Sequence, residues 1–415
     1  GVLPDNSTTL RLAADSTIND NATLSVGTLD LADFALTLDD QMAGLSVAEI
    51  VSLSSCTPLS CASSILTGAA DLALNGGIKN VRKGGTLTST GGLISASSFD
   101  VSAQGVVDIQ GGTLSLPGGA SFSNAFTFTT SNTTINLGGS LNVAGSSTFT
   151  LTMDNTSISL TDNASLSSTV PLSLASLDTN GYDFELASAT SDLTIENAFA
   201  LSGSETLSTQ GADLIFESSA DISSGSTLDA SGGGTLEFQQ GGTDNGTINA
   251  ENATFKIGAA YAVPGTLKTN DNTTWTLGTV NLDLSGGTLE LGGTVVLDYI
   301  LTDNLTTFKL GEDATVTRNQ GFTLGGLDLD NSTFTLGSYT TDLTLDIGNS
   351  SDNGTDSGLP PGTLATQTAD LTVVGGIPSL SSGTTISSTG GTFTFGDGLS
   401  ISGATVNLQD STLAL

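Results

Sequence analysis

One short phrase returns along this chain at a fixed interval, and that recurrence limits the fold more than any other feature. Gly84-Gly85-Thr86-Leu87 recurs as Gly111-Gly112-Thr113-Leu114 and as Gly138-Gly139-Ser140-Leu141, an offset of 27 residues each time. Phe99, Phe126 and Met153 share that register, as do Phe122 and Phe149, and Leu116 and Val143. Within each unit the text divides into short alternating runs, such as residues 148–153 and 157–161. Alternation sends Phe, Leu and Ile to one face of a strand and Ser and Thr to the other. Internal repeats of this size belong to stacked, quasi-one-dimensional folds.

After residue 165 the register drifts while the phrases persist. Gly-Gly-Thr-Leu returns at 233–236 and 286–289, and Gly-Gly-Thr-Phe at 390–393. A second phrase, Thr-[Phe/Trp]-x-[Leu/Ile]-Gly, occupies 254–258, 274–278, 307–311 and 333–337. Constant strands joined by corners of variable length account for this. The expected fold is therefore all-β, a right-handed parallel β-solenoid over residues 66–415. Gly and Asn would turn its corners. About 25 residues per coil would give roughly 14 coils over about 65–70 Å. An antiparallel sandwich array also alternates, but it does not need an in-register repeat.

These phrases, on a background rich in Ser, Thr, Asn and Gly, resemble the secreted β-helix passengers of autotransporters and related bacterial surface adhesins. The resemblance implies a β-helix and an extracellular or cell-surface location. It brings no catalytic or receptor-binding motif. The membrane barrel that usually follows such passengers is not found in this sequence.

Residues 41–65 break the pattern. Ser46-Val47-Ala48-Glu49 reads as a capping box, which predicts one short helix. Cys56 and Cys61 follow and suit a disulfide loop, because oxidised pairs belong in a secreted setting. Helix and disulfide would plug one end of the solenoid. Residues 1–40 then become a strand arm or the first coils, and a candidate intersubunit segment. Alternation continues to the last residue. Leu10, Leu12, Leu24 and Val26 at one end, with Leu413 and Leu415 at the other, are the expected assembly contacts.

Charge bounds the partners. The chain has 42 acidic residues, 8 basic ones and no His, for a formal net charge of −34. Such a surface repels nucleic acid and anionic membranes. No apolar run approaches the roughly 18–20 residues that span a bilayer. Imidazole chemistry is impossible without His. No other cofactor is expected. Ca²⁺ is the one ion its carboxylates could hold, at Asp352, Asn353 and Asp356 or at Asp328 with Asp330, although a solvated acidic surface accounts for the same residues. Twelve Asn-x-Ser/Thr sequons are candidate glycosylation sites: Asn6, Asn21, Asn132, Asn155, Asn163, Asn245, Asn252, Asn272, Asn304, Asn331, Asn349 and Asn353. Corner Asn residues stacking as a ladder would explain several of them without sugar.

β-Helix folds also host polysaccharide lyases and hydrolases. Asp is so abundant here that no carboxylate pair stands out, so no enzyme is expected and no catalytic residue is named. The resulting expectation is an extracellular structural protein that polymerises head to tail through strand pairing. The chain would be its own partner, with a glycan or host-surface ligand as a further candidate. A monomeric adhesin stalk is the alternative, and a polysaccharide-active enzyme ranks below both. On this reading, deleting residues 1–40 leaves a folded chain that no longer polymerises, which sedimentation of the truncated protein would check.

Overall fold

The computed structural model describes the chain except residues 1–6, 20–21, 33, 40–43, 50, 53–62, 82–84, 103–104, 125, 146–149, 188–191, 271, 278–280, 297, 299, 319, 338–341, 347–357, 360, 375–378, 381 and 397–399. It divides into two compact units. One comprises Gly1–Phe199 with Glu205–Ser208, the other Ala200–Ser204 with Thr209–Leu415. Both are parallel β-solenoids, the fold that the resemblance to β-helix passengers implies.

In the first unit, one sheet stacks Leu24–Val26, Leu45–Val47, Leu72–Leu74, Leu93–Ala96, Thr113–Leu116, Thr134–Leu137, Ser157–Leu160 and Ser176–Asp178. Each strand pairs in parallel with its equivalent one coil on. Leu45, Leu72, Ile94, Leu114, Ile135, Ile158 and Leu177 therefore form one continuous inward column. All seven are buried. The residue after each points out, giving the column Ser46, Ala73, Ser95, Ser115, Asn136, Ser159 and Asp178. Period-2 alternation thus becomes an apolar core wall backed by a hydroxyl-rich surface. Aromatic rings widen the core locally: Phe122 lies 4.5 Å from Phe128 and 6.1 Å from Phe99.

The coil is shorter than the sequence repeat. Thr86 pairs with Val106 and Val106 with Thr127, so one coil takes 20 or 21 residues here. The 27-residue step from Leu87 to Leu114 covers one full coil and then one further face. Leu87 stacks on Val107, whereas Leu114 belongs to the next sheet. The recurring phrase marks a local corner-to-strand geometry that several faces use, rather than the coil itself. The shorter coil gives about 16 turns among the described residues.

The described residues among 45–52 contain no helix. Leu45–Val47 is a strand between Leu24–Val26 and Leu72–Leu74, and Val51–Ser52 is a second one. Leu45 and Val47 are buried as a period-2 pair, and a helix there would leave both neighbouring rungs without partners. Glu49 does not close a capping box. Its carboxylate accepts the Thr28 hydroxyl at 2.6 Å, and its N–H donates to the Gly27 carbonyl at 2.8 Å. The helix half of the expected plug is therefore wrong. Cys56 and Cys61 lie outside the described residues.

The described residues among 7–39 join the same stack. Thr9–Arg11 pairs with Thr28–Asp30, and Ser16–Ile18 pairs with Ala35–Leu38, which pairs onward with Ser64–Leu66. Leu12 and Val26 are buried, and Leu10 and Leu24 half-buried.

Glycine placement explains the phrase itself. Gly112 has φ +77°, and a Cβ there would lie 2.2 Å from the Gly92 carbonyl of the coil before. Gly391 repeats this arrangement at φ +84°, 2.5 Å from the Ala369 carbonyl. The second Gly of the phrase is where one coil's backbone rests on another's. Gly112→Ala is expected to lower stability by at least about 2 kcal/mol, from left-handed strain plus the backbone clash. Chemical denaturation should show it, with Ser115→Ala on the exposed column of the same strand as a near-neutral control.

Candidate functional site

The described surface has no deep cleft. Its grooves are shallow, and one of about 340 Å³ is lined by Thr17, Thr37, Leu38, Asp39, Leu66, Gly68, Thr88, Ser89 and Thr90. Asp39 is the only titratable group among those residues. No group of three or more His, Cys, Asp or Glu side chains is placed to hold a metal among the described residues. Among the described residues the polar chemistry lies on the corners, on the outward faces and at the buried carboxyls of Glu205 and Asp244.

Carboxylates at the corners serve as backbone hydrogen-bond acceptors. Asp71 takes the Leu93 N–H at 2.7 Å, Asp213 that of Thr235 at 2.6 Å, Asp313 that of Thr333 at 2.7 Å and Asp370 that of Thr392 at 2.6 Å. Each donor lies 20 or 22 residues along the chain, in the adjoining coil. The side chain extends the inter-coil ladder past the end of the strand. Other Asp residues close a turn two residues on, as Asp178 does with the Asn180 N–H and Asp283 with the Ser285 N–H. Asp303 combines both modes. Burial pushes its carboxyl up, but bonds from the Leu305 N–H, the Thr306 hydroxyl and the Gly286 N–H, with a weaker one from the Thr306 N–H, hold it below its ordinary value. Much of the acidity thus has a structural use.

Asp328 and Asp330 follow the turn pattern. Asp328 accepts the Asp330 N–H at 3.2 Å, and Asp330 sits at φ +39°. Asp352, Asn353 and Asp356 lie outside the described residues.

The described sequon Asn residues occupy corners. Asn132, Asn155, Asn252 and Asn331 have φ of +51°, +46°, +60° and +63°. Asn155 donates from Nδ2 to Asn132 Oδ1 at 2.6 Å. Asn270 and Asn272 both donate to Asn252 Oδ1, at 3.0 and 3.1 Å. Asn163 accepts the Asp183 N–H at 3.0 Å, and Asn304 donates to Asp346 at 3.3 Å. Asn304 is half-buried; Asn245 and the other described sequon Asn residues are exposed. The following Thr often turns inward as a staple. The Thr133 hydroxyl donates to the Ile109 carbonyl at 3.1 Å, and that of Thr273 to the Ala250 carbonyl at 2.9 Å. Asn6, Asn21, Asn349 and Asn353 lie outside the described residues.

One outward face of the second unit carries a feature that the sequence reading missed. Thr227, Thr247, Thr266, Thr288 and Thr307 stack in register. Beside them runs the column Asp229, Asn249, Lys268, Glu290, Lys309 and Asp328. From Lys268 to Asp328 its charges alternate. Lys268 Nζ lies 3.7 Å from Glu290, and on another sheet Lys256 lies 2.9 Å from Glu237. Like charges on adjacent rungs, about 4.8 Å apart, would repel, so alternation stabilises this stack. The phrase Thr-apolar-charged, repeated every 19–22 residues from 227, was the available signal.

No protein-family model matches this chain, and no curated protein or solved structure matches it.

Inside the second unit, Asp244 is fully buried. Desolvation raises its carboxyl from 3.8 to about 7, against the opposing bond from the Gly246 N–H at 2.8 Å. Its Oδ2 and the buried Tyr261 hydroxyl have no hydrogen-bond partner among the described residues. Burial, with Asp244 and Asp221 nearby, pushes the Tyr261 hydroxyl well above its ordinary range. The folded state therefore holds the Asp244 proton more tightly than the unfolded chain does. The resulting stabilisation is complete below about pH 4 and is lost as pH rises to about 7, by roughly 4 kcal/mol at most. Asp244→Asn should match the parent protein at pH 4 and exceed it in stability at pH 8. Urea titrations at both values check this, and equal effects at the two pH values would refute it.

Proposed function

We propose that this is an extracellular structural protein whose stacked coils carry load along a surface filament or sheath, with subunits joined head to tail by β-strand pairing. The observation that supports this most is the density of inter-coil bonding. Parallel backbone ladders, Asp clamps, Asn stacks and Thr staples all run from one coil to the next. Such bonding resists stretching and proteolysis along the stack and organises no reaction centre. Exposed sequons and the hydroxyl-rich outer columns suit an extracellular, glycan-bearing surface, and Asn245 is an exposed sequon for modification. The right-handed coil expected above is the hand that parallel crossovers overwhelmingly take.

The joining reaction would use strand edges. Thr405–Leu408 and Thr412–Ala414 pair with the preceding coil, and on their other side they meet no strand among the described residues. Leu413 and Leu415 are 45% and 76% exposed. Gln409 donates its N–H inward to Ser388, so strand alternation turns the N–H groups of Val406 and Leu408 outward. Strands such as Thr9–Arg11 and Ser16–Ile18 of another subunit would supply the complement by β-augmentation.

Negative-stain electron microscopy of the purified chain at neutral pH, with and without chelator, tests this. Filaments with a regular axial repeat are expected. Val406→Pro, which removes an outward N–H while sparing the inward ladder, should shorten or abolish them. Dissolution by chelator would add Ca²⁺ at the acidic corners to the mechanism. Isolated particles in every condition would exclude the filament and favour the adhesin stalk, with a glycan or host-surface ligand as its partner.

A further inference from the structure

We infer that the alternating-charge face of the second unit is a lateral docking surface for a second copy of this chain, laid face to face with its coils running the opposite way. The inference does not depend on head-to-tail joining.

A net charge of −34 makes two copies repel each other over most of their surfaces. Side-by-side contact needs a place where positive groups meet negative ones. The column Lys268, Glu290, Lys309, Asp328 provides it within four successive rungs. All four side chains are half-exposed, so they are held in register by the sheet yet open to a partner.

The pattern is self-complementary under one operation. A two-fold axis along the strand direction, midway between the rungs of Glu290 and Lys309, reverses the order of rungs and keeps position along the strand. Glu290 then faces Lys309 of the other copy, and Lys268 faces Asp328, with both pairs repeated by symmetry. The adjacent Thr column meets itself, Thr288 against Thr307, so small side chains allow close approach. An axis along the stacking direction would instead put Lys on Lys. The charges therefore select the antiparallel, isologous dimer. One apolar group adjoins the same rungs: Leu305, 52% exposed, in the turn that leads into Thr307.

The strip is small. Four paired rungs by three residues cover about 15 Å by about 10 Å, well short of the roughly 800 Å² per partner of a standard interface. Association should be weak for one pair, in the micromolar range or weaker, and strongly salt-dependent.

Sedimentation velocity over a concentration series tests it. In moderate salt a concentration-dependent dimer is expected, dissociating as salt approaches 0.5 M. Lys268→Gln with Lys309→Gln should weaken it by roughly tenfold or more, and so should Thr288→Tyr, which blocks close approach without changing charge. The swap of Lys268→Glu with Lys309→Glu, mixed with Glu290→Lys and Asp328→Lys, should form mixed dimers although each variant alone does not. Circular dichroism melts confirm that each variant folds. Val406→Pro should leave this dimer intact, which separates it from end-to-end joining. A monomer at every concentration up to about 100 μM, or a dimer indifferent to the Gln and Tyr variants, overturns the inference.

Discussion

Every contact in this fold depends on one constraint: each residue must tolerate its equivalent one coil away, about 4.8 Å along the stack. An apolar residue meets an apolar residue there, and the core becomes a set of columns rather than a three-dimensional jigsaw. Leu45 through Leu177 is one such column. The same constraint acts on polar groups. Asn stacks on Asn because its amide both donates and accepts, so Asn155 bonds Asn132 with no other partner required. Carboxylates on adjacent rungs repel, so they are offset by Lys, as at Glu290, or engaged by a backbone N–H, as at Asp71 and at Asp370, which stacks on Asp342.

That constraint also changes the meaning of the acidic composition. A surface of dispersed negative charge would need no particular geometry. Here many Asp carboxylates sit at strand starts and turn closures, as Asp71 and Asp178 do, where a coil leaves one N–H without a backbone acceptor. Asp suits this better than Glu, since its short side chain reaches a neighbouring N–H with little rotamer entropy to lose. Asp244 and Glu205 depart from this pattern and turn inward, and burial raises the Asp244 carboxyl to about 7.

The fold class was legible in the sequence because period-2 alternation and repeated corner phrases are local signals. Coil length was not. Gly-Gly-Thr-Leu marks where backbone rests on backbone, as at Gly112, and that need arises at more than one corner of a coil. Counting from one phrase to the next therefore skipped from face to face. The capping box at Ser46 failed for a similar reason. Four residues can satisfy a local helix pattern while Leu45 and Val47 satisfy a non-local ladder, and burial on two rungs outweighs one cap. The charge column at 268–328 was missed because its members are about 20 residues apart and become neighbours only once the coil length is known.

Coils held only by their neighbours make chain length an evolvable quantity. Inserting one coil of about 20 residues adds one rung spacing of about 4.8 Å and disturbs contacts only at the join. The corners already absorb such variation, since successive rungs from Thr247 to Thr288 differ by 19 and then 22 residues. A lineage could therefore lengthen or shorten this protein by unequal recombination between its repeated phrases, at little cost to the coils on either side.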